Sequence, residues 1–161
     1  MMLLSVVGVL LLVAGTAAIT WRLAHRAVER RAQANIDLVL EMWDGVINRA
    51  DPDVVMKYIA EDYVQHNPNV AQGRAGVLEL VSLIRNPPPH MVPPGKKTFQ
   101  KAIAQGDYVV VMWSQPQPDP HNPGATYDGE AFDVFRIKDG QVVEHWDDTR
   151  KALNPWRREP N

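Results

Sequence analysis

The stretch from Ala131 to Asp148, AFDVFRIKDGQVVEHWDD, constrains this chain more than any other. Two β-forming runs flank Asp139-Gly140, a strong hairpin signal because a type I′ turn needs positive φ at both central positions. Alternation along the first run puts Ala131, Asp133, Phe135 and Ile137 on one face. An acid on an otherwise apolar strand face must be desolvated, paired or turned toward a cavity. A two-residue turn pairs Lys138 with Gln141, Ile137 with Val142, Phe135 with Glu144 and Asp133 with Trp146. On that register Val142, Glu144, Trp146 and Asp148 share the face of Asp133. His145 and Asp147 then point away, beside Phe132, Val134 and Arg136. A bulge would exchange the second set. Two accounts of Asp133 stand side by side here. One is a carboxyl of raised pKa in an aromatic-walled pocket, suited to proton transfer. The other is a buried aspartate satisfied by backbone or a neighbouring side chain.

The rest of the chain must supply that pocket. Its 161 residues suit one domain plus a short extra segment, and 45% apolar content allows a core. A net charge of −2 argues against a nucleic-acid binder driven by phosphate neutralisation. With no cysteine there is no disulfide framework, thiolate metal site or thiol nucleophile.

Leu3 to Thr20 is an uncharged apolar run, at the short end of the ~17–25 residues of a membrane-spanning helix. Arg22, Arg26, Arg30 and Arg31 follow it, and Trp21 sits where an interfacial anchor would. These features predict an uncleaved membrane anchor over residues 1–21, oriented with the domain on the cytoplasmic side. A cleaved signal peptide is the alternative, with small residues at Gly15-Thr16-Ala17. Residues 22–34 form a basic helical linker, 35–150 the domain, and 151–161 a polar tail.

Within the domain, Ile36, Val39, Leu40, Trp43, Val46 and Ile47 recur at helical spacing. Asp51-Pro52 starts a short second helix, and Gly73 to Arg85 reads as a third. Tyr63 to Pro68 reads as a strand running into a turn, with Val64 and His66 on one face and Tyr63, Gln65 and Asn67 on the other. His66 is either a structural histidine or part of a pocket rim. Asn86 to Gly95 carries five prolines, and predicts a mouth loop holding His90 and Met91. Lys97 to Gln105 and Tyr108 to Ser114 read as strands joined by Gly106-Asp107. Both faces of the second are apolar, as in a central strand. Gln115 to Thr126 reads as a proline-rich loop. The whole is an α+β pattern.

YVQHNP at 63–68, the Gly73-Arg74 helix start, GDYVVVMW at 106–113 and FDVFRIKDGQVVEHWD at 132–147 together resemble the SnoaL-like polyketide cyclase family of the NTF2-like superfamily. The resemblance covers Ile36 to Asp148. It implies a cone of helices and curved, mostly antiparallel sheet around an apolar pocket. It also implies a cofactor-free acid/base enzyme, of the aldol-condensing cyclase or isomerase type, acting on a small apolar carbonyl compound. On this resemblance Asp133 is the base and His66 its hydrogen-bonding or proton-shuttling partner. Trp146, Tyr63, Glu144, Phe135 and Trp113 line the ligand site. The alternative is a non-catalytic, membrane-tethered ligand-binding or assembly domain. No metal is expected, because the turn register sends His145 away from His66 and Asp133. Phe132 and Val134 on the outer sheet face suggest a homodimer.

Overall fold

A computed structural model describes residues 2–89 and 95–151; for residues 2–7 and 9–12 it describes the backbone only. Helix α1 (Met2–Ile47) is followed by α2 (Pro52–Tyr58), β1 (Ile59–Gln65), α3 (Gly73–Arg85), β2 (Thr98–Gln105), β3 (Tyr108–Pro118), β4 (Thr126–Lys138) and β5 (Gln141–Asp147). The strands form one sheet in the order β1-β5-β4-β3-β2, antiparallel except where β1 runs parallel to β5. The α+β expectation holds. The helices lie on one face, and the core between them joins Val39, Trp43 and Val46 of α1, Val55 and Tyr58 of α2, Val77 and Val81 of α3, and Val109, Val111, Phe135, Ile137 and Val142 of the sheet.

Local chemistry explains the helix starts and stops. Asp51 caps α2 by accepting from the Asp53 N–H, with Pro52 at the first helical position. The α3 bounds fall at the expected residues. Gly76 faces the inside of the turn entering α3, where a Cβ would lie 2.0 Å from the Ala71 carbonyl oxygen. Only glycine fits there without moving backbone.

Three expectations change. First, the anchor, linker and first domain helix form one continuous helix, of which, among the described side chains, the part from about Ile36 packs on the core. Residues 13–31 are exposed. The Arg31–Asp107 ion pair and the Asn35 side chain, donating to Gly106 O at 3.1 Å, tie α1 to the β2–β3 turn. Among the described residues no helix is long and apolar enough to cross a membrane. The expected membrane anchor over residues 1–21 is therefore not supported. Second, β3 and β4 run far beyond their expected ends, pairing out to Pro118 opposite Thr126. Because β2 begins at Thr98 opposite Ser114, β3 has a free edge past that point among the described residues and tolerates Pro116 and Pro118. Third, among the described residues β3 is fully covered on one face only. Val109 and Val111 are fully buried, while Tyr108 on the other face is exposed. His90, Met91 and residues 152–161 lie outside the described residues.

Gly76→Ala should lower unfolding stability by about 1–3 kcal/mol through this backbone clash, read as a shifted urea midpoint at unchanged slope.

Candidate active site

The β4–β5 turn is the expected one: Asp139 and Gly140 have φ of 51° and 77°, and Lys138 pairs with Gln141 and Ile137 with Val142. One residue further on, the register shifts. Arg136 pairs with Glu144, Phe135 with His145, Val134 with Trp146 and Asp133 with Asp147. Val143 is the extra residue of a β-bulge, and it exchanges the faces of everything after it. His145 and Asp147 therefore join Asp133 inside, and Glu144 and Trp146 go outside.

Two rows then cross the inner face of the sheet. Val109, Phe135, His145 and Gln65 lie side by side on β3, β4, β5 and β1. Val111, Asp133 and Asp147 form the next row. His145 and Asp133 are diagonal neighbours, which brings their polar atoms together. The ring of Phe135 stacks on His145 at 4.8 Å.

The hydrogen bonds assign protons. The Asn67 N–H can only donate, so the Gln65 atom facing it at 2.9 Å is oxygen. That same Oε1 lies 2.8 Å from His145 Nδ1, so Nδ1 carries a hydrogen. His145 Nε2 is left facing Asp133 Oδ1 at 3.3 Å, where a proton can be shared. Trp43 Nε1–H donates to Asp133 Oδ2 at 2.7 Å. Gln65 is itself held: its N–H donates to Gln72 Oε1 at 2.9 Å and its carbonyl accepts from Gln72 Nε2 at 2.6 Å.

Asp133 is 5% exposed. Burial pushes its carboxyl up. The His145 hydrogen bond, the Lys97 charge and the Trp43 hydrogen bond outweigh it, and the net pKa lies below the ordinary aspartate value. This corrects the expected raised pKa: Asp133 is an ionised base held in place, not a protonated acid. Tyr63 is also buried. Burial, reinforced by Asp133 and Asp147, raises its phenol well above the usual value, so it stays a donor. Its oxygen accepts from Gln65 Nε2 at 3.4 Å, leaving its own proton for a ligand.

These groups line a cavity of about 340 Å³ between the sheet and the helices. Trp43, Tyr63, Trp113, Phe135, Asp133, His145, Asp147 and Lys97 contribute to its walls. Two buried polar atoms on it, Trp113 Nε1 and Gln115 Oε1, have no hydrogen-bond partner among the described residues. Asp133, His145 and Asp147 each offer a ligand atom, all within 4.8 Å of one another. An imidazole and two carboxylates suit a divalent cation, and Gln65 on Nδ1 supplies the outer-shell partner such histidines use. The register argument against a metal at His145 therefore falls with the bulge. Asp147 already accepts from Asn67 Nδ2 at 2.6 Å and from the Thr149 N–H at 3.0 Å.

Of the expected site residues, Asp133, Tyr63, Phe135 and Trp113 meet in the cavity, and His66, Trp146 and Glu144 do not. These three form a cluster on the outer face. The His66 ring stacks on Trp146 at 4.8 Å and its Nε2 lies 2.9 Å from Glu144 Oε1. Arg136 Nε donates to Glu144 Oε2 at 2.7 Å. Hydrogen bonds from His66 and then Arg136 hold the Glu144 carboxyl below its usual range. Sequence reasoning missed His145, Gln65 and Lys97. His145 had a signal in the stated possibility of a bulge, and Gln65 had one in sharing the alternating face of Tyr63. Lys97 had none, because it adjoins a loop with no periodicity.

A curved sheet backed by helices around a cavity that holds a buried Asp–His pair is the architecture of pocket-forming NTF2-like domains. The SnoaL-like domain family model matches residues 39–145, and the chain belongs to that family. No curated protein matches the sequence. Solved structures are similar in fold. TsrD from Streptomyces laurentii has 23% identity and a TM-score of 0.53, over 71% of this chain and 87% of that one. Wild-type IdmH, a putative polyketide cyclase from Streptomyces antibioticus, has 22% identity and a TM-score of 0.52, over 70% and 89%. A putative polyketide cyclase from Bacillus cereus has 19% and 0.53, over 71% and 74%.

Because the folded pKa of Asp133 is depressed, its contribution to stability is complete above the ordinary value of 3.8 and is lost as pH falls through the lower folded value. The melting temperature of Asp133→Asn should accordingly fall less steeply than that of the native chain below about pH 4.

Proposed function

We propose that this domain is a cofactor-independent acid/base enzyme that moves a proton on the carbon next to a carbonyl, in a small, largely apolar compound. The observation that carries this is the Asp133–His145 pair in the cavity, with Gln65 fixing the imidazole. With Nδ1 occupied, a proton between Nε2 and Oδ1 is one the pair can take up or return. Asp133 removes the α-proton, and His145 accepts or returns it at Nε2. The enolate oxygen that develops needs a donor, and the Tyr63 hydroxyl is one that burial keeps protonated. The low polarity around the buried pair strengthens each of these interactions. Carbon–carbon closure on a second carbonyl would make the reaction an aldol cyclisation. Return of the proton to another carbon would make it an isomerisation. The family membership and the putative polyketide cyclases among the structural neighbours support this reading.

A second reading takes Asp133, His145 and Asp147 as a cation site, on the strength of their 4.8 Å grouping. Turnover that requires an added divalent ion and stops with chelator would favour it. A tethered or assembly module that binds without chemistry is the remaining alternative. Under it a ketone would bind while its α-protons never exchange.

We also propose a homodimer through the outer sheet face, where Phe132, Tyr108, Ile103 and Val64 are exposed. Phe132→Asp should turn a dimer into a monomer by light scattering, and a monomeric native chain would refute it.

The central test is α-proton exchange of a ketone in deuterium oxide, followed by NMR. Asp133→Asn and His145→Gln should each slow it by about 10²–10⁴-fold, as expected for loss of a general base. His66→Ala should leave it unchanged, because His66 lies on the other side of the sheet. Full exchange in Asp133→Asn would sink the proposal.

A further inference from the structure

One half-buried nucleophile on the cavity takes no step in that chemistry. Lys97 precedes β2, and its backbone is gripped from both sides by one side chain at the end of α1. Its N–H donates to Asn48 Oδ1 at 3.0 Å, and its carbonyl accepts from Asn48 Nδ2 at 3.1 Å. Thus held, the side chain enters the cavity and lays its Nζ over the ring of Trp113, 3.5 Å from the centroid. Among the described residues no carboxylate lies within ion-pair distance of it. An amine in a wet site would be hydrated and charged. Here burial lowers the pKa against the opposing charges of Asp133, Asp147 and Asp148, so the cation that steadies Asp133 gives up its proton more readily than a wet amine does. Beside it, on the same face of β3, stand the two buried orphans of the cavity, the Trp113 N–H and the Gln115 amide oxygen. A buried donor or acceptor left dry is costly, so this end of the cavity suits a ligand carrying both an acceptor and a donor.

We propose that Lys97 captures a ketone or aldehyde covalently as an imine, in the same cavity as the Asp133–His145 base. The inference rests on the carbonyl-directed acid/base function above. Once Nζ has released its extra proton to water, its lone pair forms the N–C bond as the C=O π pair moves to oxygen, and a proton passes from nitrogen to that oxygen. One proton from the Asp133–His145 pair then lets the oxygen leave as water, and an iminium remains. Asp133 removes the α-proton, which restores the proton given up and yields an enamine. After the carbon–carbon or proton-transfer step, water hydrolyses the imine and frees Lys97. No oxidant, reductant or metal takes part. A positively charged iminium acidifies the α-carbon far more than a neutral ketone does, and a desolvated lysine is the residue for that task.

The full chain incubated with cyclohexanone and sodium borohydride tests this. Lys97 should gain the mass of the ketone less one oxygen, located by peptide mass spectrometry, while Lys57, Lys96, Lys101 and Lys138 stay at the level they show in the urea-unfolded chain. Lys97→Arg should lose the label and the α-deuteration of the ketone, with its melting transition retained. Label spread evenly over the lysines of the native chain would overturn the proposal. So would α-deuteration that survives Lys97→Arg yet is abolished by Asp133→Asn, and that result leaves the acid/base function standing. Label on Lys97 with no deuteration in the native chain would support the capture and remove the acid/base function instead.

Discussion

A carboxylate that is 5% exposed can remain ionised only if its neighbours replace the water it has lost, and this requirement organises the domain. Asp133 is served from three directions. Trp43 reaches it from α1, His145 from β5, and Lys97 supplies positive charge from the segment ahead of β2. Each partner needs its own element packed in place. The helix-to-sheet core, the β4–β5 pairing and the Asn48 grip on Lys97 thus converge on one charge. Losing any of them would leave a buried anion uncompensated, a far larger penalty than a lost surface contact.

Polarity inside the cavity is ordered rather than scattered. Gln65 receives the Asn67 N–H and the imidazole N–H on one oxygen and donates to Tyr63. Its backbone is clasped by Gln72. A single amide therefore sets the orientation of the histidine and the hydrogen bonding of the phenol. The QHNP turn after β1 owes its importance to this glutamine. His66, the more conspicuous residue, belongs to a surface cluster with Trp146, Glu144 and Arg136.

The two faces of the sheet do different work because of one inserted residue. Without the bulge at Val143, Glu144 and Trp146 would crowd the cavity and His145 would point outward. With it, the stacked His66–Trp146 pair and the Glu144 ion pairs cover part of the outer face, and the imidazole enters the inner row beside Phe135. A strand of seven residues thereby supplies both the surface and the catalytic candidate.

What the amino-acid order determined by itself is local or periodic. The Asp139-Gly140 turn, the Asp51-Pro52 helix start, the α3 bounds, the inward side of Asp133 and the α+β class follow from φ preferences, capping and alternation, which act over a few residues. The family likewise was legible in the order of its motifs. The bulge was not, since Val142-Val143 fits a regular strand as well as a bulged one and only pairing with β1 and β4 selects between them. For the same reason the faces of His145 and Glu144, the pull that lowers the Asp133 pKa and the entry of Lys97 into the cavity were decided by tertiary structure. Each depends on groups far apart in sequence, such as Trp43 and Asp133 or Asn48 and Lys97, whose separation only packing removes.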